Sequence, residues 1–369
     1  MKLALVRQRY NPYGGAERHI ERAVTALQRE GAEVTLIARE WTGEGAGRTR
    51  RVLEVTPFYI GRWWRDAGFA RAARAAWERA GFALVQSHER IPGASIYRAG
   101  DGVHRQWLEN RARYASVAVR LSIALNPYHS YVCAAEKAMF EHPGLRAVIC
   151  NSRMVRGEIL QHFSIAEEKL RVIYNGVDTE RFHPRARVAR NGGDIVLAFV
   201  GSGFARKGLD TVLAAMARSR LRLKLLVVGD DRELPRYAAL AKVLKIGEHV
   251  SFTGGVDDVR PHYAAADALV LPTLYDPFPN VVLEAMAMGL PAIVSDQCGA
   301  AELVKHAESG WIVPAQDVSA LAETLDGLED RPRLVRMGAA ARAAVEPYTI
   351  EAMAGQLLAL YRELGSTLR

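Results

Sequence analysis

A chain of 369 residues is too long for one ordinary core and long enough for two typical domains. With 49% hydrophobic and 24% charged residues it sits on the globular average, which excludes disordered and collagen-like readings. Basic residues exceed acidic ones by 49 to 41, and the excess lies in the first half: residues 1–184 hold 28 against 19, residues 185–369 hold 21 against 22. One-sided positive charge points to a polyanionic partner such as nucleic acid, an anionic membrane or a phosphorylated substrate.

Short apolar runs alternate with helical patterns along the whole chain, the mark of βαβ units on parallel sheets. The opening run, Leu3-Ala4-Leu5-Val6 between Lys2 and Arg7, is too short for a signal peptide or an anchor and reads as a strand. Further strands are expected over 33–38, 83–86 and 147–150, with helices over 14–30, 62–80 and, in the main, 105–140. Residues 178–194 are polar, with Pro184, Arg181, Arg185, Arg187, Arg190 and Asn191-Gly192-Gly193, and read as a linker. Beyond them, strands are expected over 195–200, 223–228, 250–253, 268–271 and 292–295. The fold class is therefore α/β, with two doubly wound domains over 1–178 and 179–349 facing each other across a cleft. No stretch approaches the roughly 18–20 uninterrupted apolar residues of a membrane span, so any membrane contact reads as peripheral, and the few scattered cysteines make the chain read as cytoplasmic. Cys133, Cys150 and Cys298 are too scattered for a zinc site or a disulfide framework, and no metal is expected.

Ligands of doubly wound sheets sit beyond the carboxyl ends of the strands, so the informative residues belong in loops that follow strands. After the first strand, Gly14-Gly15 at a strand-to-helix turn permits close approach of a ligand to the backbone, and the helix N-terminus behind it favours an anion. After strand 195–200 comes Gly201-Ser202-Gly203-Phe204-Ala205-Arg206-Lys207-Gly208. Arg206 and Lys207 oppose the dipole of the helix they open, and they suit a diphosphate, one as a two-pronged guanidinium and the other as a point charge. Asp276 and Glu284 then flank Pro277, Pro279 and a helix start carrying Asn280 and Val281. Pro279 suits the first helical turn, Asp276 the cap region, and Glu284 the second turn. Free N–H groups at such a start hold phosphate while carboxylates accept hydrogen bonds from sugar hydroxyls.

The stretch from Asp276 to Glu284 resembles the E-x7-E motif of family 4 retaining glycosyltransferases. Val172-Ile173-Tyr174-Asn175-Gly176-Val177-Asp178, with Phe182 and Pro184 after it, is similar to that family's interdomain signature, and Gly201–Gly208 to its diphosphate loop. In the first half, Gly14-Gly15, Trp41, Pro92-Gly93-Ala94 and Tyr97-Arg98-Ala99-Gly100-Asp101 resemble the lipopolysaccharide core glucosyltransferases that act on heptose. The resemblance implies the GT-B fold of two Rossmann-like domains, with 350–369 returning to the first domain. It also implies a nucleotide-diphosphate sugar as donor, UDP-glucose-like, and a lipid-linked or lipopolysaccharide core saccharide as acceptor, without a metal or other cofactor. By position, Gly15 with Gly14 would approach the donor diphosphate, and Arg206 with Lys207 would stabilise the leaving nucleoside diphosphate. Glu284 would hold ribose hydroxyls, Asp276 hydroxyls of the transferred sugar, and Asp101 would lie near the reacting centre. Asp276 stands where the motif has glutamate, one methylene longer, which alters reach to the donor sugar.

His88 and His104 flank the loop of Asp101, either as structural groups or as substrate contacts. Two basic, tryptophan-bearing segments, 62–79 and 104–120, suit the surface of an anionic membrane, here its inner face; the plain alternative is amphipathic helices with their aromatics in the core. An NAD-dependent oxidoreductase is the competing enzyme class, but Gly201 and Gly203 alone fit G-x-G-x-x-G, and Arg206-Lys207 stand where its third glycine belongs. A nucleic-acid binder leaves Asp276–Glu284 without a role, so nucleic acid is not an expected partner.

Overall fold

The computed structural model describes residues 2–10, 28, 31–41, 51–82, 84–184 and 193–366. Gly14, Gly15, nearly all of the helix expected over 14–30 and part of the expected linker lie outside these residues. The chain divides into two units, Met1–Asn175 with Ile350–Arg369, and Gly176–Thr349.

The first unit carries seven parallel strands: β1 (Lys2–Tyr10), β2 (Glu33–Trp41), β3 (Arg51–Glu54), β4 (Leu84–Ser87), β5 (Ile96–Ala99), β6 (Ala147–Cys150) and β7 (Leu170–Val172). Their order in the sheet is β3-β2-β1-β4-β5-β6-β7, so the winding reverses between β1 and β4. All residues of β4, β5 and β6 are buried, because helices cover both faces of a parallel sheet. One face packs against the C-terminal helix Ile350–Ser366, which buries Met353, Leu357, Leu360, Tyr361 and Leu364 among Leu3, Leu5, Leu36 and Ile149. The Tyr361 hydroxyl donates to Gln86 Oε1 on β4. The other face packs Phe69, Ala73 and Trp77 of helix Gly61–Arg79 against Val6, Ile37 and Val85.

The second unit carries six parallel strands: β8 (Ile195–Val200), β9 (Leu223–Val228), β10 (Val250–Gly254), β11 (Ala268–Leu271), β12 (Ala292–Ser295) and β13 (Gly310–Val313). The order β10-β9-β8-β11-β12-β13 reverses between β8 and β11. Helices Asn280–Ala287 and Arg331–Val345 meet so closely that a Cβ on Gly338 would lie 2.1 Å from the Gly289 carbonyl oxygen.

Several expectations change. The segment expected as a linker over 178–194 belongs, where described, to the second unit. Phe182 packs its ring 6.3 Å from Tyr263, and Arg342 donates to the carbonyls of Thr179 (3.2 Å) and Phe182 (2.8 Å). The boundary falls between Asn175 and Gly176, inside the segment that resembles an interdomain signature. Residues 105–140 are three helices, His104–Arg113, Val117–Ala124 and Pro127–Phe140, the last begun by Asn126 accepting from Tyr128 N (3.0 Å) ahead of Pro127. Strands β3, β5, β7 and β13 are additional to those expected: β5 contains Arg98, buried with its Nη2 donating to Asn175 Oδ1 at 2.7 Å, and β13 is a short Trp-Ile-Val run behind a glycine.

Leu357→Ala should destabilise the first unit by about 2–5 kcal/mol through the cavity it leaves under the sheet. Urea unfolding of the full chain should show that loss in the transition of the first unit while the second unit's transition stays put.

Candidate active site

In the second unit the loops that follow β8 and β11 leave the sheet on either side of its switch point, where ligands of such sheets bind. Main-chain and side-chain bonds join the two loops. Leu274 N and Thr273 Oγ1 donate to the Arg206 carbonyl at 2.8 and 2.9 Å, and Arg206 Nη1 donates to the Tyr275 carbonyl at 2.9 Å. Asp276 closes the set: its Oδ2 accepts from Arg206 Nη1 at 2.8 Å and from Lys207 Nζ at 3.2 Å. Lys207 and Asp276 are both buried. Burial alone raises the Asp276 carboxyl, but the charges of Lys207 and Arg206 and their hydrogen bonds override it and hold the group below its ordinary value.

Glycine makes this arrangement possible. Gly201 has φ +125°, and a Cβ there would lie 2.6 Å from Lys207 Cε, so the lysine stem runs across bare backbone toward Asp276. Gly208 has φ +80°, and a Cβ there would lie 2.2 Å from the Pro272 carbonyl oxygen, which sets how closely the two loops approach. Arg206 and Lys207 end a short helical turn, Phe204–Lys207, whose first N–H donates to Asp231 Oδ2 at 2.8 Å. The Asp230-Asp231 pair thus supplies a loop carboxylate that caps a turn, and Asp258 lies in bidentate contact with Arg260 (2.7 and 2.8 Å).

Helix Asn280–Ala287 begins after Pro279, which is the N-cap and not a helical residue, and Asp276 is drawn into the cation pair instead of capping. The main chain of Asp276 is fixed by bonds to Gln297 and Gly299, at 3.1 and 2.9 Å. Asn280 and Glu284 lie one turn apart on the same face of that helix, and Val281 is its second residue. Glu284 is half-buried, and its Oε2 accepts from the buried Tyr263 hydroxyl at 3.1 Å. The structure therefore brings Arg206, Lys207, Asp276, Asn280, Val281 and Glu284 to one end of one sheet. Tyr263 and Tyr275 carry no motif in the sequence, and only their contacts reveal them as supports of this site.

In the first unit, Gly14 and Gly15 lie outside the described residues. Asp101 and His104 line a cavity of about 210 Å3 with Gln8 of β1 and Glu89, Arg90 and Ile91 beyond β4, again at the switch point. Three contacts fix the main chain around Asp101. Asn151 Nδ2 donates to the Gly100 carbonyl and Arg90 Nη2 to the Gly102 carbonyl, each at 3.2 Å. Glu136, fully buried on helix Pro127–Phe140, accepts from Arg90 Nε and His104 N at 2.9 Å and from Arg105 N at 3.3 Å. A carboxylate from a neighbouring helix thus satisfies the first N–H groups of helix His104–Arg113, whose N-cap Val103 offers none.

His104 Nε2 lies 3.1 Å from His129 Nδ1, so this histidine is paired rather than lone. Burial, then the charges of Arg90 and His129, push it down to about 3. Burial likewise holds His88, which contacts Gln86 and Arg7, well below its usual value. The two basic segments divide. Trp77 is core, whereas Trp63 (61%), Trp64 (48%), Phe58 (73%) and Ile60 (69%) are exposed. Helix Val117–Ala124 buries no residue and exposes Val117 and Leu121, with Leu125 after it. The exposed apolar surface therefore centres on 58–64 and 117–125, not along the whole of 62–79 and 104–120.

An unfolded histidine takes up a proton below about pH 6.5, whereas folded His104 resists it down to about 3. The unfolded state therefore binds the extra proton between those values, and stability falls as pH drops through that window. His104→Asn should flatten this fall in urea titrations between pH 7 and pH 4; an unchanged pH slope would count against a neutral, buried imidazole.

Two family models match the chain, one for each half: "Glycosyltransferase Family 4" over residues 13–181 and "Glycosyl transferases group 1" over residues 181–344. The lipopolysaccharide glucosyltransferase WaaG of Escherichia coli K12 is 26% identical over 328 residues, 85% of this chain and 85% of that enzyme. An uncharacterized glycosyltransferase of Methanocaldococcus jannaschii is 31% identical over 182 residues. A GDP-mannose-dependent phosphatidylinositol monomannoside mannosyltransferase of Mycobacterium tuberculosis is 34% identical over 187 residues. The chain spans about half the length of those last two relatives, at 47% and 49%. Among solved structures, WaaG superposes with a TM-score of 0.82 at 22% identity, covering 96% of this chain and 98% of that one. Sucrose-phosphate synthase from Thermosynechococcus elongatus superposes with 0.81 at 24% identity, covering 99% of both. Two doubly wound parallel-sheet units, a family match across each half and these fold neighbours make the chain a GT-B glycosyltransferase, belonging to family 4 and group 1 and related to the lipopolysaccharide core glucosyltransferases.

Proposed function

We propose that the enzyme is a retaining hexosyltransferase, moving a hexose from a UDP-glucose-like nucleotide sugar to a lipid-linked or lipopolysaccharide core saccharide. The observation that carries this reading is the pairing of Arg206 and Lys207 on one oxygen of Asp276 at the β8/β11 switch point. Breaking the sugar–phosphate bond builds negative charge on the diphosphate and positive charge on the anomeric carbon. Arg206 and Lys207 are placed to meet the first charge, and in this reading no metal is required. Because both cations sit on Oδ2, Asp276 Oδ1 is the oxygen assigned to hydroxyls of the donor sugar. Glu284, held by Tyr263, is assigned to the ribose hydroxyls, and Asn280 and Val281 to the donor at the helix start. Asp101 and His104 are assigned to the acceptor, and Gly14 and Gly15 to the diphosphate. The acceptor hydroxyl attacks the face that the diphosphate leaves, and the leaving phosphate takes its proton.

The relatives support the pairing of substrates without deciding it. WaaG is a lipopolysaccharide glucosyltransferase, the mycobacterial relative is GDP-mannose-dependent, and a fold neighbour from Anabaena was solved with UDP and glucose (TM-score 0.73, 18% identity). A polysaccharide or a small glycoside as acceptor is the alternative within the same chemistry. No helix among the described residues is long and apolar enough to cross a membrane. The basic first unit and its exposed aromatics fit peripheral attachment to an anionic, cytoplasm-facing surface.

A thermal-shift screen of nucleotide sugars followed by NMR of the product's anomeric linkage tests the reaction; an inverted linkage overturns it. Arg206→Ala and Lys207→Ala should each fold, since the other cation still pairs with Asp276, and each should lower turnover by about 10²–10³-fold. Near-normal turnover in both would remove the diphosphate assignment. Anionic vesicles should bind the protein more tightly than neutral ones, and Trp63→Ser with Leu121→Ser should weaken that binding. Equal binding to both vesicle types would remove the membrane assignment.

A further inference from the structure

The cavity of the first unit has a charge balance opposite to that of the half-chain around it. Among the described residues lining it are two cations, Arg65 and Arg90, and each already faces a carboxylate. Arg65 Nε lies 2.8 Å from Asp66 Oδ1, and Arg90 Nε lies 2.9 Å from Glu136 Oε1. Asp66 also accepts from Gln8 Nε2 (3.1 Å) and from the Tyr128 hydroxyl (2.9 Å), so that pair is saturated. Two further carboxylates, Glu89 and Asp101, line the same space without a guanidinium of their own. Glu89 Oε1 accepts from Gln8 N at 2.9 Å, which orients the side chain without cancelling its charge. His104 adds no compensating charge, for its imidazole is neutral at pH 7. Phe69, Ile91 and Tyr131 form an apolar wall on which the carbon face of a ring can rest.

We propose that this cavity is the acceptor subsite, that it takes an uncharged, hydroxyl-bearing sugar ring, and that it rejects a ring carrying a phosphate. The proposal rests on the glycosyltransferase reading above and specifies the acceptor's chemistry. Ring hydroxyls donate to the carboxyl oxygens of Glu89 and Asp101, which as carboxylates accept and do not donate. Among the described lining residues, a phosphate in the same place would meet two carboxylates and no cation without a carboxylate partner, a like-charge arrangement that disfavours it. Burial pushes the Glu89 carboxyl up and the Asp101 charge adds to it, although Gln8 N–H, Arg7 and Arg90 pull the other way. The volume of about 210 Å3 lies below the roughly 300 Å3 at which whole-ligand sites begin, and so suits one ring and not an oligosaccharide. Any phosphate on the acceptor then belongs outside the cavity, against the basic exterior.

The test uses the full chain and four probes: methyl α-mannoside, a methyl heptoside and a monophosphate ester of each, titrated by ligand-observed NMR. The neutral glycosides should bind at least about tenfold more tightly than their phosphates. Glu89→Gln keeps an acceptor for Gln8 N and should narrow that ratio to about threefold or less; Asp101→Asn is the second variant should Glu89→Gln not fold. Ala70→Leu, which fills the cavity from its wall, should abolish binding of all four probes. Phosphates that bind as well as the neutral sugars, a ratio unchanged in the charge variants, no binding of any probe, or binding that survives Ala70→Leu overturns the proposal. Nucleotide-sugar binding and donor hydrolysis are read in the same samples. If they persist while the sugar arms fail, only the acceptor subsite is wrong; if they are absent in the wild type, the glycosyltransferase reading itself fails.

Discussion

A carboxylate taken out of water must be matched by cations, and the second unit is organised around that requirement at Asp276. Two cations from one loop converge on a single oxygen of another loop. Lys207 and Asp276 are buried and Arg206 is partly exposed, so the carboxylate keeps a cation partner when either cation is lost and is left uncompensated only when both are. Gly201 and Gly208 are glycine because a side chain at either would collide with the lysine stem or the facing carbonyl. The parallel sheet supplies the location: only at the reversal between β8 and β11 do two loops leave neighbouring strands in diverging directions and leave room for a ligand.

The first unit uses the same device with other residues. Glu136 is fully buried, binds Arg90, and completes the start of a neighbouring helix, so that the main chain after Asp101 is held, while Asn151 holds the Gly100 carbonyl before it. A buried ion pair of this kind brings little net stability of its own, since desolvation offsets attraction. Its effect is geometric: it places one exposed carboxylate beside a cavity of limited size. Within this basic half, the described residues lining the cavity carry three carboxylates, Asp66, Glu89 and Asp101, against two guanidinium groups, Arg65 and Arg90.

What could be read from residues depended on how local the cause was. The strands Ile195–Val200 and Ala268–Leu271 were legible because a fully buried strand needs an unbroken apolar run. Strand β5 was not, because its Arg98 is met by partners 77 and 255 positions away, Asn175 and Met353. Arg206 and Lys207 stood out as adjacent cations in the glycine-flanked loop after β8, although they close a short helical turn and do not open the helix as expected. Asp276–Glu284 stood out through its resemblance to a known motif. Tyr263, Glu136 and His129 did not, since a tyrosine, a glutamate and a histidine on helices look ordinary until their partners are known. Trp63 and Trp77 had the same helical spacing, yet one is exposed and the other core.

The sequence by itself determined the α/β class, the alternation that makes both sheets parallel, the two cations, the Asp276–Glu284 spacing and the uneven charge. These follow from hydrophobic periodicity, turn chemistry and composition, which act between near neighbours. Tertiary structure alone decided that Asp276 neutralises both cations, that Phe182 of the expected linker packs beside Tyr263 with its carbonyl bonded to Arg342, and that the described lining of the cavity beside Asp101 holds more carboxylates than cations within a basic half. Each of these depends on which distant groups share a low-dielectric space, and pairing across such distances leaves no local pattern in the chain.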